Sequence, residues 1–331
     1  MPETASGHAP PSAQLPAPVT ARTALGLALL LVFAAALRAI TIAFRGELWA
    51  DETITTMLLQ YSPLDLLARL AVPSGIPATV VHVHPPLYYL LLRGWTTLLG
   101  DGEVMLRAFS AACGLLSLLA LWNLLRHFAS ARLAWLATLV AAVCPLQVYY
   151  SSEARYYTLF LLLSLISLHF TLSIIHRDRG YLAYVLATTL TLYSFYYALF
   201  VLLTENVIFA VAGWRGDRRR LGRWILAQLV VAMLFLPWVP VLLTHFGAFP
   251  TVRFESVAGY LQTMEGPVMD LLAHGGSEPV QLAAVGAFAL LLLLALVTTR
   301  GPARRSAFVC LAWILVPLVA QYWSGTIAIK S

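Results

Sequence analysis

"HPPLYYLLLRGWTTLLG", residues 84–100, is apolar enough to enter a membrane, yet Arg93, Gly94 and Thr96-Thr97 interrupt it. Whether it crosses or lies along the surface fixes the side on which everything after it falls. Apolar runs long enough to span a bilayer, about 20 residues each, recur around it. They lie at about 23–44, 104–125, 133–150, 156–175, 181–197, 198–214, 224–245, 280–297 and 307–323. If residues 84–100 stay on the outer surface, the clusters Arg126/Arg132, Arg177/Arg179, Arg215/Arg218/Arg219/Arg220/Arg223 and Arg300/Arg304/Arg305 all face one side, together with Arg22. Short loops rich in Arg and Lys stay cytoplasmic. Counting the stretch as a span would put the first two clusters on the wrong side.

Composition agrees. Of 331 residues 60% are hydrophobic and 11% charged, with a mean hydropathy of +0.81, where a soluble domain carries about 25% charged residues. Such a chain cannot cover its apolar side chains with polar surface in water, so a polytopic membrane protein is expected. The net charge of +6 does not point to nucleic acid, because the bases sit in short clusters between apolar runs. Cys113, Cys144 and Cys310 each fall inside such a run, with no spacing suited to a metal or a disulfide framework.

The fold expected is therefore all-α: a bundle of about nine spans in the cell membrane, with a cytoplasmic N-terminus. Residues 1–22, rich in Pro, Ala and Ser, read as a disordered cytoplasmic tail, and 23–331 as one transmembrane domain. Its first outer loop, 45–103, carries helices lying on the membrane surface, and a second long outer loop covers 246–279. Thr23 to Phe44 reads as a span and not a signal peptide, since no short basic region precedes it.

Most of the 15 acids gather on the outer face. There "GELWADETITT", residues 46–56, sets Asp51 beside Glu52. Asp51 could cap a helix; alternatively, repulsion and desolvation would raise the proton affinity of adjacent carboxylates, which suits a general base. His84 stands just before Pro85-Pro86, which start a helix sharply because neither offers an amide hydrogen. A histidine there can meet a phosphate or a metal, or be a plain turn residue. In "YYSSEARYY", residues 149–157, Glu153 and Arg155 could form an interfacial ion pair; equally, the arginine fork could hold a phosphate. Glu205, inside a span, should face the bundle or a cavity. Arg38 is expected to snorkel outward, and His169 to make a hydrogen bond within the bundle.

The order of these pieces resembles the GT-C glycosyltransferases. It runs from an aromatic-x-Asp-Glu after the first span, through His-Pro-Pro in the outer loop, to Tyr-Tyr-Ser-x-Glu-Ala-Arg-x-Tyr after the third. The nearest group is the bacterial one related to protein O-mannosyltransferases and lipid A aminoarabinose transferases, and the likeness runs from about Leu37 to Phe200. It implies inverting transfer of a sugar from a polyprenyl-phosphate carrier to an acceptor hydroxyl on the non-cytoplasmic side. The acceptor would be a cell-envelope glycan, lipid or protein. Asp51 matches the catalytic aspartate of that family, the base, and Glu52 its usual neighbour. His84 matches a position near the carrier phosphate; Glu153, Arg155 and Tyr156 match the second outer loop's carrier and sugar contacts. A divalent metal could assist, although no ligand set demands one. Phe195 stands where relatives often have histidine. The chain also ends at Ser331, where relatives usually continue, which reads as a fragment or an abbreviated member. The rival readings are a transporter or flippase for lipid-linked sugars and a non-catalytic assembly partner.

Overall fold

The computed structural model describes residues 20–71, 84–127, 129–214, 217–248 and 311–312. The expected spans at 280–297 and 307–323, the loop at 246–279 and residues 1–19 of the expected tail lie outside the described residues, or almost wholly so.

Helix α1 (Ala21–Phe44) opens where the Thr20 hydroxyl accepts from the Thr23 amide at 3.2 Å. Its 24 residues rise about 36 Å at 1.5 Å per residue, enough for a hydrocarbon core of about 30 Å. Three short helices follow: α2 (Ala50–Leu59), α3 (Pro63–Ala71) and α4 (Leu87–Leu99). α3 is amphipathic, with Leu66 and Leu70 fully buried. α4, the stretch that decides the topology, has 13 residues and is about 20 Å long, too short to cross as one helix. It ends at Gly100, whose φ of 98° is open to glycine at no steric cost.

α5 (Glu103–Leu125) is the central post, packed against α1, α4, α6, α7 and α8. Its face toward α7 carries Gly114 and Ser117, which meet Gln147 and Ser151. Small residues let helix backbones approach closely in a membrane. A Cβ on Gly114 would stand 2.3 Å from Ser151 Oγ. The run expected as a single span at 133–150 is instead a bent pair, α6 (Ala131–Val143) and α7 (Pro145–Ser151), meeting at 60°. Pro145 donates no amide hydrogen and forces Cys144 into extended backbone, with ψ of 122°, so the helix stops and restarts in a new direction.

α8 (Tyr157–Arg177) lies against α5 and ends on Asp178 in the left-handed conformation. α9 (Tyr181–Leu192) is shorter than expected, whereas α10 (Ala198–Ile208), closed by a π turn over Phe209–Gly213, fills the run expected at 198–214 to within one residue. At 12 residues α9 rises about 18 Å. α11 (Arg218–Phe235) passes through one 3₁₀ turn at Leu236–Trp238 into α12 (Val239–Ala248), so that Arg218–Thr244 is one long apolar stretch. Among the described residues four helices are long and apolar enough to cross a membrane, or five counting the bent pair. No strand occurs among them.

Large apolar side chains face outward along the long helices: Leu25, Leu29, Val32 and Phe33 on α1, and Leu226, Leu229 and Met233 on α11. Val32 is 67% exposed, which suits a surface solvated by lipid tails. Arg38 does not snorkel. It is buried, and its Nη1 donates to the Ala34 and Ala142 carbonyls at 3.0 and 3.3 Å, because α6 closes over it.

Candidate active site

Three arginine–carboxylate pairs tie the end of α1, the helix α2, the post α5 and the turn between α7 and α8 into one knot. Asp51 and Glu52 both lie in the first turn of α2, whose N-cap is Trp49, so Asp51 does not cap the helix. Neighbouring residues on a helix diverge by about 100°, and these two acids accordingly meet different partners.

Glu52 turns inward and is completely buried. Arg107 of α5 grips it with Nε on Oε1 at 3.1 Å and Nη2 on Oε2 at 2.8 Å, and the Ala154 amide donates to Oε1 at 2.8 Å. The same guanidinium donates to the carbonyls of Gly46 and Glu47 at 3.0 and 3.3 Å. Burial alone would raise the Glu52 carboxyl, but the Arg107 fork and the Ala154 amide outweigh it and hold it below the usual carboxylate range. The mutual raising expected of adjacent acids is therefore reversed at Glu52.

Asp51 turns toward Arg155, with Oδ2 3.3 Å from Nη2, and its main-chain carbonyl accepts from Nη1 at 3.2 Å. This is the looser and more open pair: the Asp51 side chain is 22% exposed. Arg155 is fixed from behind, where the Ser110 hydroxyl donates to its carbonyl at 3.1 Å, and its guanidinium lies 5.0 Å from the Tyr156 ring. Glu153 points the other way. Its Oε1 accepts from Arg45 at 2.8 Å, while Arg45 also holds the Tyr149 carbonyl and the Ser152 hydroxyl. Two of the acids singled out in the sequence, Glu52 and Glu153, are thus engaged in buried ion pairs.

His84 lies against Tyr156, ring centroids 4.1 Å apart, and against Phe195 at 5.3 Å. Phe195 also packs on Tyr156 at 4.6 Å, so the position where relatives often carry histidine here supplies an aromatic wall. The Leu87 amide donates to the Tyr193 carbonyl at 3.0 Å, which docks the start of α4 on the turn after α9. Asp51, Arg155, Tyr156 and His84 are in this way gathered into one cluster.

The sequence reading missed three members of this region. Arg45 and Arg107 were not singled out, although an arginine at or just inside the end of an apolar helix is itself a signal. Tyr89 is fully buried, and its hydroxyl has no hydrogen-bond partner among the described residues. It lies within electrostatic reach of Arg155 and Asp51, and burial pushes its ionisation up, so it remains a phenol donor.

Beneath the cluster an apolar cavity of about 430 Å³ runs between α5, α6, α7 and α8. Tyr150, Tyr157, Phe195, Leu121, Leu161 and Leu165 are among its lining residues. Tyr157 packs on Tyr156 at 4.6 Å, so cavity and cluster share a wall. Among the described residues no group of three His, Cys, Asp or Glu side chains is placed to hold a metal.

Residues 83–243, just under half the chain, match the family described as dolichyl-phosphate-mannose-protein mannosyltransferase. No curated protein matches the chain. Among solved structures it is similar to ArnT from Cupriavidus metallidurans in the apo state, at a TM-score of 0.51 and 18% identity over 91% of this chain. The match spans 60% of that ArnT chain. The fold is similar to that of the ArnT chain, and residues 83–243 match the model of the mannosyltransferase family, the group that the motifs resemble.

Proposed function

We propose that the protein transfers a sugar from a polyprenyl-phosphate carrier to an acceptor hydroxyl on the non-cytoplasmic face, with inversion at the anomeric carbon. Asp51 is the base. It takes the acceptor proton as the oxygen attacks, the bond from the anomeric carbon to the phosphate oxygen breaks, and the electron pair leaves on the carrier phosphate, which gains one negative charge. That gain is what Arg155 and His84 stabilise, since fixed cations and donors aimed at developing charge lower the barrier most. A carboxylate base contributes about 10²–10⁴-fold.

The observation that carries this reading is the Asp51–Arg155 pair at 3.3 Å, half-open, beside an aromatic wall shared with an apolar cavity. A base and a phosphate cation in one cluster are what an attacking hydroxyl and a departing phosphate need, and the pair parts to admit the sugar carbon between them. The cavity suits the carrier's first prenyl units, which must stay in an apolar medium while the sugar reaches water. Glu52 and Glu153 then serve as anchors that hold α2 and the α7–α8 turn in register.

The transporter reading draws on the bent pair α6–α7, since broken helices mark many transporter sites. That break lies toward the end of the span that meets the Asp51 cluster, not at mid-bundle, and so favours the first reading. The experiment is a panel of labelled carrier-linked sugars presented to membranes holding the protein or its Asp51→Asn variant. Expected is transfer lost by about 10²-fold or more with carrier binding retained; undiminished turnover in the variant removes Asp51 from the mechanism.

A further inference from the structure

Glu205 of α10 lies two turns below the Tyr193–Tyr197 turn that meets His84, and it takes no part in the site above. It is fully buried. The hydroxyls of Ser167 and Thr171 on α8 and of Tyr184 on α9 face its carboxyl, and Thr188 shares a hydrogen bond of 2.7 Å with Ser167. Neither carboxyl oxygen closes a hydrogen bond of ordinary geometry with any of them. The arginine–carboxylate pairs among the described residues all use other acids.

Behind this cluster runs a chain of polar groups with a direction. Trp224 Nε1 donates to Asn206 Oδ1 at 3.0 Å, Asn206 Nδ2 to Gln228 Oε1 at 3.3 Å, and Gln228 Nε2 to the Tyr184 hydroxyl oxygen at 2.8 Å. The Tyr184 proton is left to point onward, toward Glu205. Tyr184 can donate a hydrogen bond to Glu205, whose carboxyl, with neither oxygen otherwise engaged, then takes up either a proton or a cation. An ionised acid at the centre of a span is costly, so Glu205 as a carboxylate calls for a counter-charge. The surrounding ligands are hard oxygens carrying one negative charge. Calcium is usually held by several carboxylates, magnesium keeps several waters, and softer metals prefer nitrogen or sulfur.

We propose that Glu205, with the hydroxyls of Ser167, Thr171, Thr188 and Tyr184, forms a binding site for a small monovalent cation of the sodium type inside the bundle. The ion ties α8, α9 and α10 together at the level where α9 is too short to span alone. This inference stands apart from the sugar-transfer reading and needs neither donor nor acceptor.

The test uses the full chain in nanodiscs, with sodium chloride exchanged for choline chloride at constant ionic strength. Melting and equilibrium binding of radioactive sodium are followed. Expected are one ion bound per chain and a saturable rise in Tm, both absent in Glu205→Gln, which keeps the shape of the side chain and removes its charge. The double variant Ser167→Ala/Thr188→Val keeps the acid and loses two ligands, so its titration moves to higher sodium. It carries the test should Glu205→Gln fail to fold. Identical melting in sodium and choline, a response undiminished in Glu205→Gln, or an unshifted titration in the double variant overturns the proposal. Stability that follows pH but ignores sodium means a proton-only site, and overturns it equally.

Discussion

Arg107→Met is the most informative single change, because it separates the anchor from the chemistry. Methionine fills most of the arginine's apolar volume but leaves Glu52, completely buried, with only the Ala154 amide at 2.8 Å. Removing one partner of a buried pair costs about 3–5 kcal/mol. The carbonyls of Gly46 and Glu47 lose their donor as well, which places the loss at the upper end of that range. A typical fold is stable by about 5–15 kcal/mol, so the variant should melt many degrees lower in a detergent thermal-shift assay. The pH dependence should also change sign. In the wild type Glu52 is held below its unfolded value. The unfolded chain then binds more protons, and this contribution is present above the ordinary carboxylate range and lost as pH falls through it. Without Arg107, burial dominates and the folded value rises above the unfolded one, so the variant should gain stability on acidification. Glu52→Leu added to Arg107→Met should recover part of the loss, since a well-packed apolar pair is often as stable as a buried ion pair. A Tm for Arg107→Met within a degree or two of wild type, with an unchanged acid slope, would refute the anchor argument.

Three further outcomes are expected. Arg155→Lys keeps the charge but loses the fork that holds both the Asp51 carboxylate and its carbonyl; titration with a labelled polyprenyl phosphate should show weaker binding while Tm is nearly unchanged. Gly114→Ala drives a methyl to within 2.3 Å of Ser151 Oγ, an overpacking worth about 1–3 kcal/mol, and Ser151→Ala should relieve part of it in a double-variant melt. Burial, with His169 and His176 nearby, pushes His127 down to about 3 from its ordinary 6.5. The unfolded chain therefore binds the extra proton across that window, and stability is lost as pH falls from about 6.5 toward 3. His127→Phe should flatten that part of a Tm-against-pH profile.

The long helices were legible because length and apolarity suffice to define them: the expected spans at 23–44, 104–125 and 156–175 became α1, α5 and α8 with ends shifted by one or two residues. The bend in the third span was written in Pro145, but an uninterrupted apolar run outweighed it. The run at 181–197 broke at Leu192 because the Tyr193 carbonyl is taken by the Leu87 amide, a partner more than a hundred residues away that no local pattern reveals. His169 makes the bundle hydrogen bond expected of it, 3.1 Å from His127. Residue types and order singled out Asp51, His84 and Arg155, which the structure brings into one cluster. The division of labour between Asp51 and Glu52 depended on which face of α2 meets α5. Arg45 and Arg107 escaped notice because their carboxylate partners stand 108 and 55 residues away in the sequence.

The turn at Glu153-Ala154-Arg155 has an evolutionary corollary. Three successive residues present an acceptor to Arg45, an amide to Glu52 and a cation to Asp51. Inserting a residue just before the turn would set Glu153 against Glu52, and deleting one would leave Arg45 and Asp51 without their mates. Connections on a membrane protein's rim commonly vary in length between relatives; this one works as a ruler, and its spacing should be as invariant as the identity of any side chain it carries.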